Sequence, residues 1–164
     1  MHGKDILQHL TDDHSRLRAE LREWEAALEQ SSGSSYGQCQ HALAVLQELC
    51  RALAYECRHH FREEETVLYA VVEFKLPRLR GLVEELRSEH DNFRQALEQL
   101  RRELLRFNAT GEQGRLPGMG RDLVRLLRRH LEREEAELHP VVMQEFRESD
   151  WHELSRLHVD SQVA

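Results

Sequence analysis

Two pairs of residues stand out by type and spacing: His60 with Glu64, and His130 with Glu134, each an imidazole followed four residues later by a carboxylate. On a helix such a pair leaves one face a turn apart, so a ring nitrogen and a carboxylate oxygen can converge on neighbouring metal ions. Two lone histidines, His14 and His90, each precede one pair, giving a set of four imidazole nitrogens and two carboxylates. An ionised carboxylate among apolar side chains is strongly unfavourable unless paired or coordinated. No Lys or Arg falls on the same helix faces to neutralise these two, and a pair of dications supplies the missing charge. Mixed imidazole and carboxylate donors suit iron, manganese or zinc.

These residues must be positioned by helices. Strand formers are scarce, with one isoleucine, Ile6, and three threonines, while Leu, Glu, Arg, Ala and Gln fill long stretches free of Pro and Gly. Punctuation at 31 to 37, 75 to 77 and 108 to 120 divides the chain into helices of about 4 to 30, 38 to 74, 78 to 107 and 118 to 148. In the first, Leu7, Leu10, Leu17, Leu21, Trp24 and Leu28 form one apolar seam broken by His14. In the second, Leu43, Leu46, Cys50, Leu53 and Cys57 lead to His60 and Glu64, after which Val67, Leu68 and Val71 resume the seam. The third runs through Leu79, Leu82 and Leu86 to His90, then Phe93, Leu97, Leu100, Leu104 and Phe107. The fourth has Leu123 and Leu127, then His130 and Glu134, then Leu138 and Val141. Beyond Ser149 lies a short fifth helix or tail, with a capping box from Asp150 to Glu153.

The pattern is an internal repeat. A helix with one inward histidine is followed by a helix with inward His-x-x-x-Glu, and this occurs twice, His14 and His90 lying 76 residues apart and His60 and His130 lying 70 apart. Locally, Asp13-His14 matches Glu89-His90, and the ten residues from His60 to Tyr69 match those from His130 to His139. Short connections between such helices predict an up-and-down antiparallel four-helix bundle over 1–148, with 149–164 appended. Counting from the connection at 75 to 77 puts His60 and His90 at levels about 5 Å apart, close enough for one layer.

Composition narrows the function classes. The chain has 164 residues, a formal charge of −7 and 40% hydrophobic residues, enough for a sizeable core. The acidic balance disfavours nucleic acid, and no stretch has the roughly 18 uninterrupted apolar residues of a membrane span. The start lacks a secretory signal, which makes the cytoplasm the expected location. Cys39, Cys50 and Cys57 contain no C-x-x-C pair and read as core thiols of a reducing compartment.

The layout His14, His60-Phe-Arg-Glu-Glu64, His90, His130-Leu-Glu-Arg-Glu134 resembles the hemerythrin-like family of cation-binding four-helix bundles, over nearly the whole chain. The resemblance implies two non-haem irons with an oxo or hydroxo bridge, terminal imidazoles from His14, His60, His90 and His130, and bridging carboxylates from Glu64 and Glu134. Oxygen-carrying members have a second histidine after the third-helix ligand, where this chain has Arg94, and His-x-x-x-x-Asp where it has His130 and Glu134. About two of roughly twelve coordination positions would then stay open for dioxygen, peroxide or nitric oxide. The function so implied is small-ligand binding for sensing, storage or delivery. The alternatives are a di-iron enzyme for peroxide or nitric oxide removal or iron-centre repair, and a metal-free helical interaction module. Oligomeric state stays between monomer and homodimer.

The remaining polar and aromatic residues read as structural. His59 points about 100° away from His60, and His9 and His139, off the ligand layer, read as surface residues. Glu63 and Glu65 read as solvated or bonded behind a ligand. Tyr55 and Tyr69 could hydrogen-bond near an iron-bound ligand but read first as aromatics of a helix surface, and Trp24, Phe61, Phe93 and Trp151 as core or bundle-end residues.

Overall fold

The computed structural model describes the backbone of residues 2–31, 36–112 and 114–163, and the side chains of these except 31, 36–40 and 163. Helices take up nearly all of the described residues, with no strand among them. The first helix, α1, spans Gly3–Ser31. The second run begins with α2, Tyr36–Glu63, passes through a π-helical turn at Glu64–Leu68 and ends with α3, Tyr69–Lys75. After a 3₁₀ turn at Pro77–Leu79 comes α4, Arg80–Thr110. The fourth run repeats the second: α5, Leu116–Arg133, a π turn at Glu134–Leu138, and α6, His139–Glu145. The fifth helix, α7, spans Glu148–Val163. None of these helices is long and apolar enough to cross a membrane.

Several expected boundaries move. Helix α5 starts at Leu116 rather than 118, since Pro117 is well placed in a first turn, where its missing N–H costs nothing. The turn before it is carried by Gly111 and Gly114, with φ of +71° and +51°. The fourth run stops at Glu145 rather than 148, because Phe146 turns extended with ψ 128°. Asp150 is not the N-cap of α7: its carboxylate accepts from the Arg147 amide at 2.9 Å, the return bond of a capping box. The loop expected at 31 to 37 lies largely outside the described residues, as does the Cys39 side chain.

The chain forms two compact units, one of residues 1–15, 58–90 and 129–164, the other of 16–57 and 91–128. The second buries Leu17, Leu21, Trp24, Leu43, Leu46, Leu53, Phe93, Leu100, Leu104, Phe107, Leu123 and Leu127, the expected seams. Cys50 and Cys57 are buried with them, and burial pushes the Cys50 thiol up to about 11, so it packs as a small apolar group.

The first unit has a core of Ile6, Leu7, Leu10, Val67, Leu68, Tyr69, Val72, Val83, Leu86, Leu138, Val142, Trp151 and Leu154. Here Leu7, Leu10, Val67, Leu68, Val71, Leu86 and Leu138 are buried as expected, and two seams are displaced at their ends. Val142 is buried where Val141 was expected and Val141 is half-buried, because the π turn at Glu134–Leu138 adds a residue to one turn and rotates everything after it. Leu79 and Leu82 are half-buried and Val83 takes the core place. Helix α7 packs against α3 and against the π turn at Glu64–Leu68. Its Trp151 backbone leaves no room at Gly3, where an added Cβ would sit 2.3 Å from the Trp151 carbonyl oxygen. Gly3→Ala should therefore lower stability by about 1–3 kcal/mol, read as the urea midpoint; an unchanged midpoint would show that the α1 terminus shifts freely.

Candidate metal centre

Both π turns begin at one of the glutamates of the repeated pairs. The Tyr69 amide donates to the Glu64 carbonyl, and the His139 amide donates to the Glu134 carbonyl, each spanning five residues rather than four. On an α-helix the fifth residue after a glutamate lies about 140° round the axis. The wider turn returns it to nearly the same line, so Glu64 and Tyr69, and likewise Glu134 and His139, all face inward.

All six residues of the expected ligand set are buried in the first unit, Glu64 and Glu134 to 0% exposure. Ligand-type atoms of His14, His60, Glu64 and Glu134 lie within 4.8 Å of one another, and so do those of Glu64, His90 and His130. Glu64 belongs to both groups. Its Oε1 is 2.9 Å from His60 Nε2 and 3.6 Å from His14 Nε2, and its Oε2 is 3.2 Å from His90 Nε2. Glu134 Oε2 is 3.3 Å from His14 Nε2 and 3.6 Å from His130 Nε2. His90 and His130 face each other through their Nε2 atoms at 2.9 Å.

The other nitrogen of each imidazole meets a carboxylate of its own. Asp13 Oδ2 is 3.5 Å from His60 Nδ1, Glu135 Oε1 is 2.9 Å from His14 Nδ1, Glu65 Oε1 is 2.6 Å from His90 Nδ1, and Glu89 Oε2 is 3.0 Å from His130 Nδ1. The bonds at His14, His90 and His130 put the proton on Nδ1 and turn Nε2 inward as a lone-pair donor, while His60 Nδ1, though near Asp13, has no hydrogen-bond partner. The repeat governs the arrangement: Asp13 and Glu89 precede the lone histidines and lie against the paired ones, Glu89 with a hydrogen bond, while Glu65 and Glu135 follow the inward glutamates and hold the lone ones. Glu65 thus takes the second of its two expected roles, and Glu63 turns away to His158 Nδ1 at 2.8 Å. Burial would raise Glu89, but His130 and Arg133 hold it at about 2.

Electrostatics express the same crowding of acid and imidazole. Burial would lower His14, yet the Glu134 and Glu64 carboxylates outweigh it and raise its pKa to about 9. His60 and His90 are raised against burial in the same way, chiefly by Glu64. Burial would raise Glu64, but His60, His14 and His90 hold it well below the usual carboxylate range. Even so, His14 Nε2, His60 Nε2, both Glu64 oxygens and Glu134 Oε2 are buried without a hydrogen-bond partner. Orphaned donors of these types, all facing one interior point, are what bound cations would satisfy.

A pH dependence follows for metal-free protein. A histidine raised from 6.5 to about 9 stabilises the fold fully below pH 6.5, and that contribution is lost as pH rises through 9. A cation instead competes with those protons and binds better across the same interval. The gap in thermal midpoint between loaded and chelator-treated protein should widen from pH 6.5 to 9; a narrowing gap would contradict this account.

Two buried residues here were expected to be peripheral. Tyr69 is buried, its hydroxyl donates to Glu134 Oε1, and burial together with the Glu64 and Glu134 charges pushes its pKa well above the ordinary value. His139 is 7% exposed rather than a surface residue, and its ring stacks on His14 with centroids 5.4 Å apart. Both occupy the fifth position after an inward glutamate, which ordinary helix periodicity turns outward. Pro140, inside an otherwise helical run, was the available signal that winding changes there. Tyr55, at 61% exposure, lies on the surface as expected, as does His59. Phe61 stacks on His90 at 3.8 Å and closes that side.

The model of one protein family, described as Hemerythrin HHE cation binding domain, matches residues 5–142. Comparison with curated proteins gives no match.

Proposed function

Because the chain belongs to the hemerythrin HHE cation-binding domain family, we propose that it holds two non-haem irons and binds dioxygen or a related small ligand, peroxide or nitric oxide, for sensing, storage or delivery. The observation that carries this reading is the convergence of buried, partnerless imidazole nitrogens and carboxylate oxygens from His14, His60, Glu64 and Glu134. In this reading His14, His60, His90 and His130 would hold the irons through imidazole nitrogen, with Glu64 and Glu134 as the carboxylates shared between them. The membership of Glu64 in both donor groups supports a bridging role. Iron so held supplies reversible electron exchange and positions open to a small ligand.

The chain's own residues do the rest. Glu65, Glu89 and Glu135 fix the rings of His90, His130 and His14 and keep each Nδ1 protonated, and Asp13 places a charge near His60. Tyr69 binds one oxygen of Glu134 and thereby aims the other inward. Phe61 and the apolar residues around it keep bulk water from the centre, which strengthens each charge interaction. The fold we propose for 1–148 is the antiparallel four-helix bundle, with α7 appended, in a reducing cytoplasm that suits the buried thiols.

Metal analysis of freshly purified protein, with absorption spectra before and after anaerobic reduction and re-exposure to air, tests the proposal. About two irons per chain, with near-ultraviolet bands that change reversibly with oxygen, is the expected result. Zinc or no metal, with a fold indifferent to chelators, would overturn it, and peroxide turnover far above that of free iron would move the reading to a di-iron enzyme.

A further inference from the structure

The repeat relates Tyr69 to His139 as it relates His60 to His130, 70 residues apart. The structure keeps that relation. Each closes a π turn by donating its amide to the inward glutamate five residues earlier. Each stacks on the lone histidine of its side, Tyr69 on His90 with centroids 5.7 Å apart and planes at 15°, His139 on His14 at 5.4 Å and 20°. What differs is the end of the ring. The Tyr69 hydroxyl reaches across to Glu134, the carboxylate of the opposite repeat, and is satisfied there.

His139 carries the shorter ring in the corresponding place. Its Nδ1 lies 3.5 Å from Thr11 Oγ1, a hydroxyl already bonded to the Leu7 carbonyl. Its Nε2 is buried and has no hydrogen-bond partner. His139 also stands outside the two groups of mutually close donor atoms, so it is a neighbour of the centre rather than a member. Leaving a buried imidazole nitrogen unsatisfied carries its full desolvation cost, and a partner that comes and goes accounts for it better than none.

Resting on the di-iron reading above, we infer that His139 is the residue that receives the small ligand: its Nε2 hydrogen-bonds a two- or three-atom molecule lodged beside His14, in the place that the Tyr69 hydroxyl fills on the other side. The centre is therefore asymmetric by one residue of the repeat, closed by Tyr69 and receptive at His139. The ligand class is a small oxygen- or nitrogen-ended molecule able to accept or donate one hydrogen bond.

Azide is the probe, titrated into the iron-loaded full chain and followed by its charge-transfer absorption, with iron content measured on every sample. H139L should weaken azide about tenfold, the worth of one hydrogen bond. H139Q, which keeps a donor, should recover most of the loss. H139Y, which copies the other half of the repeat, should abolish azide binding with two irons retained. Equal azide affinity in wild type, H139L and H139Y overturns the inference while leaving the proposed function intact, as does iron-loaded wild type that ignores azide. Loss of iron from H139L and H139Q overturns it by making His139 a metal ligand. Wild type that takes up no iron overturns the proposed function and this inference together.

Discussion

Glu64→Ala should leave a protein that retains at most one metal ion per chain and gains little stability from added iron. Glu64 is the one side chain shared by both donor groups, with His60, His14 and His90 gathered round its two oxygens. In loaded protein its removal takes a donor from each cation. In metal-free protein it leaves three imidazoles, raised by its charge, with Glu134 the one member of the ligand set left to balance their inward Nε2 side. Breaking a buried ion pair by removing one partner costs about 3–5 kcal/mol, so metal-free Glu64→Ala should also unfold earlier. Glu64→Gln keeps the volume and one acceptor oxygen but not the charge, and separates the two effects: it should lose metal like alanine while packing like wild type. Elemental analysis and unfolding curves with and without chelator decide the matter. Wild-type stoichiometry in both variants would remove Glu64 from the site, whatever happened to stability.

How far such a site can be read from sequence depends on whether its signal is periodic. The seams of Leu17, Leu21 and Trp24 and of Leu97, Leu100 and Leu104 appear where three- and four-residue spacing puts them, and the inward histidines are the exceptions within those seams. His14, His60, His90 and His130 were legible because each occupies a place where leucine belongs. Tyr69 and His139 were not, because their inward direction comes from a change of winding. A π turn is favoured by tertiary demand, here the need to turn a glutamate and the residue five later toward one point, and apart from Pro140 beside the second of them no local signal announces it. Val67 and Leu68 suit either winding, so the apolar pattern is silent. Likewise, Glu65 and Glu135 were visible as repeated neighbours of the inward glutamates, but which histidine each one holds belongs to the other half of the repeat and emerges only from packing.

That crossed arrangement yields a second large effect. Glu65→Gln and Glu135→Gln should each weaken metal binding by about 10- to 100-fold, although neither residue belongs to the groups of close donor atoms. Glu65 accepts from His90 Nδ1 at 2.6 Å, and Glu135 from His14 Nδ1 at 2.9 Å. An ionised acceptor there fixes the tautomer that presents Nε2 to a cation and adds electron density to the ring. Glutamine offers a weaker neutral acceptor and an NH₂ group that, turned toward Nδ1, would favour the wrong tautomer. Because the two carboxylates act on opposite lone histidines, each variant should weaken one cation and spare the other, giving two separated steps in a chelator competition where wild type gives one. The double variant should restore a single step at lower affinity. Wild-type affinity in both single variants would mean that the His14 and His90 rings are held by packing alone, with Phe61 against His90 and His139 against His14 sufficient to aim them.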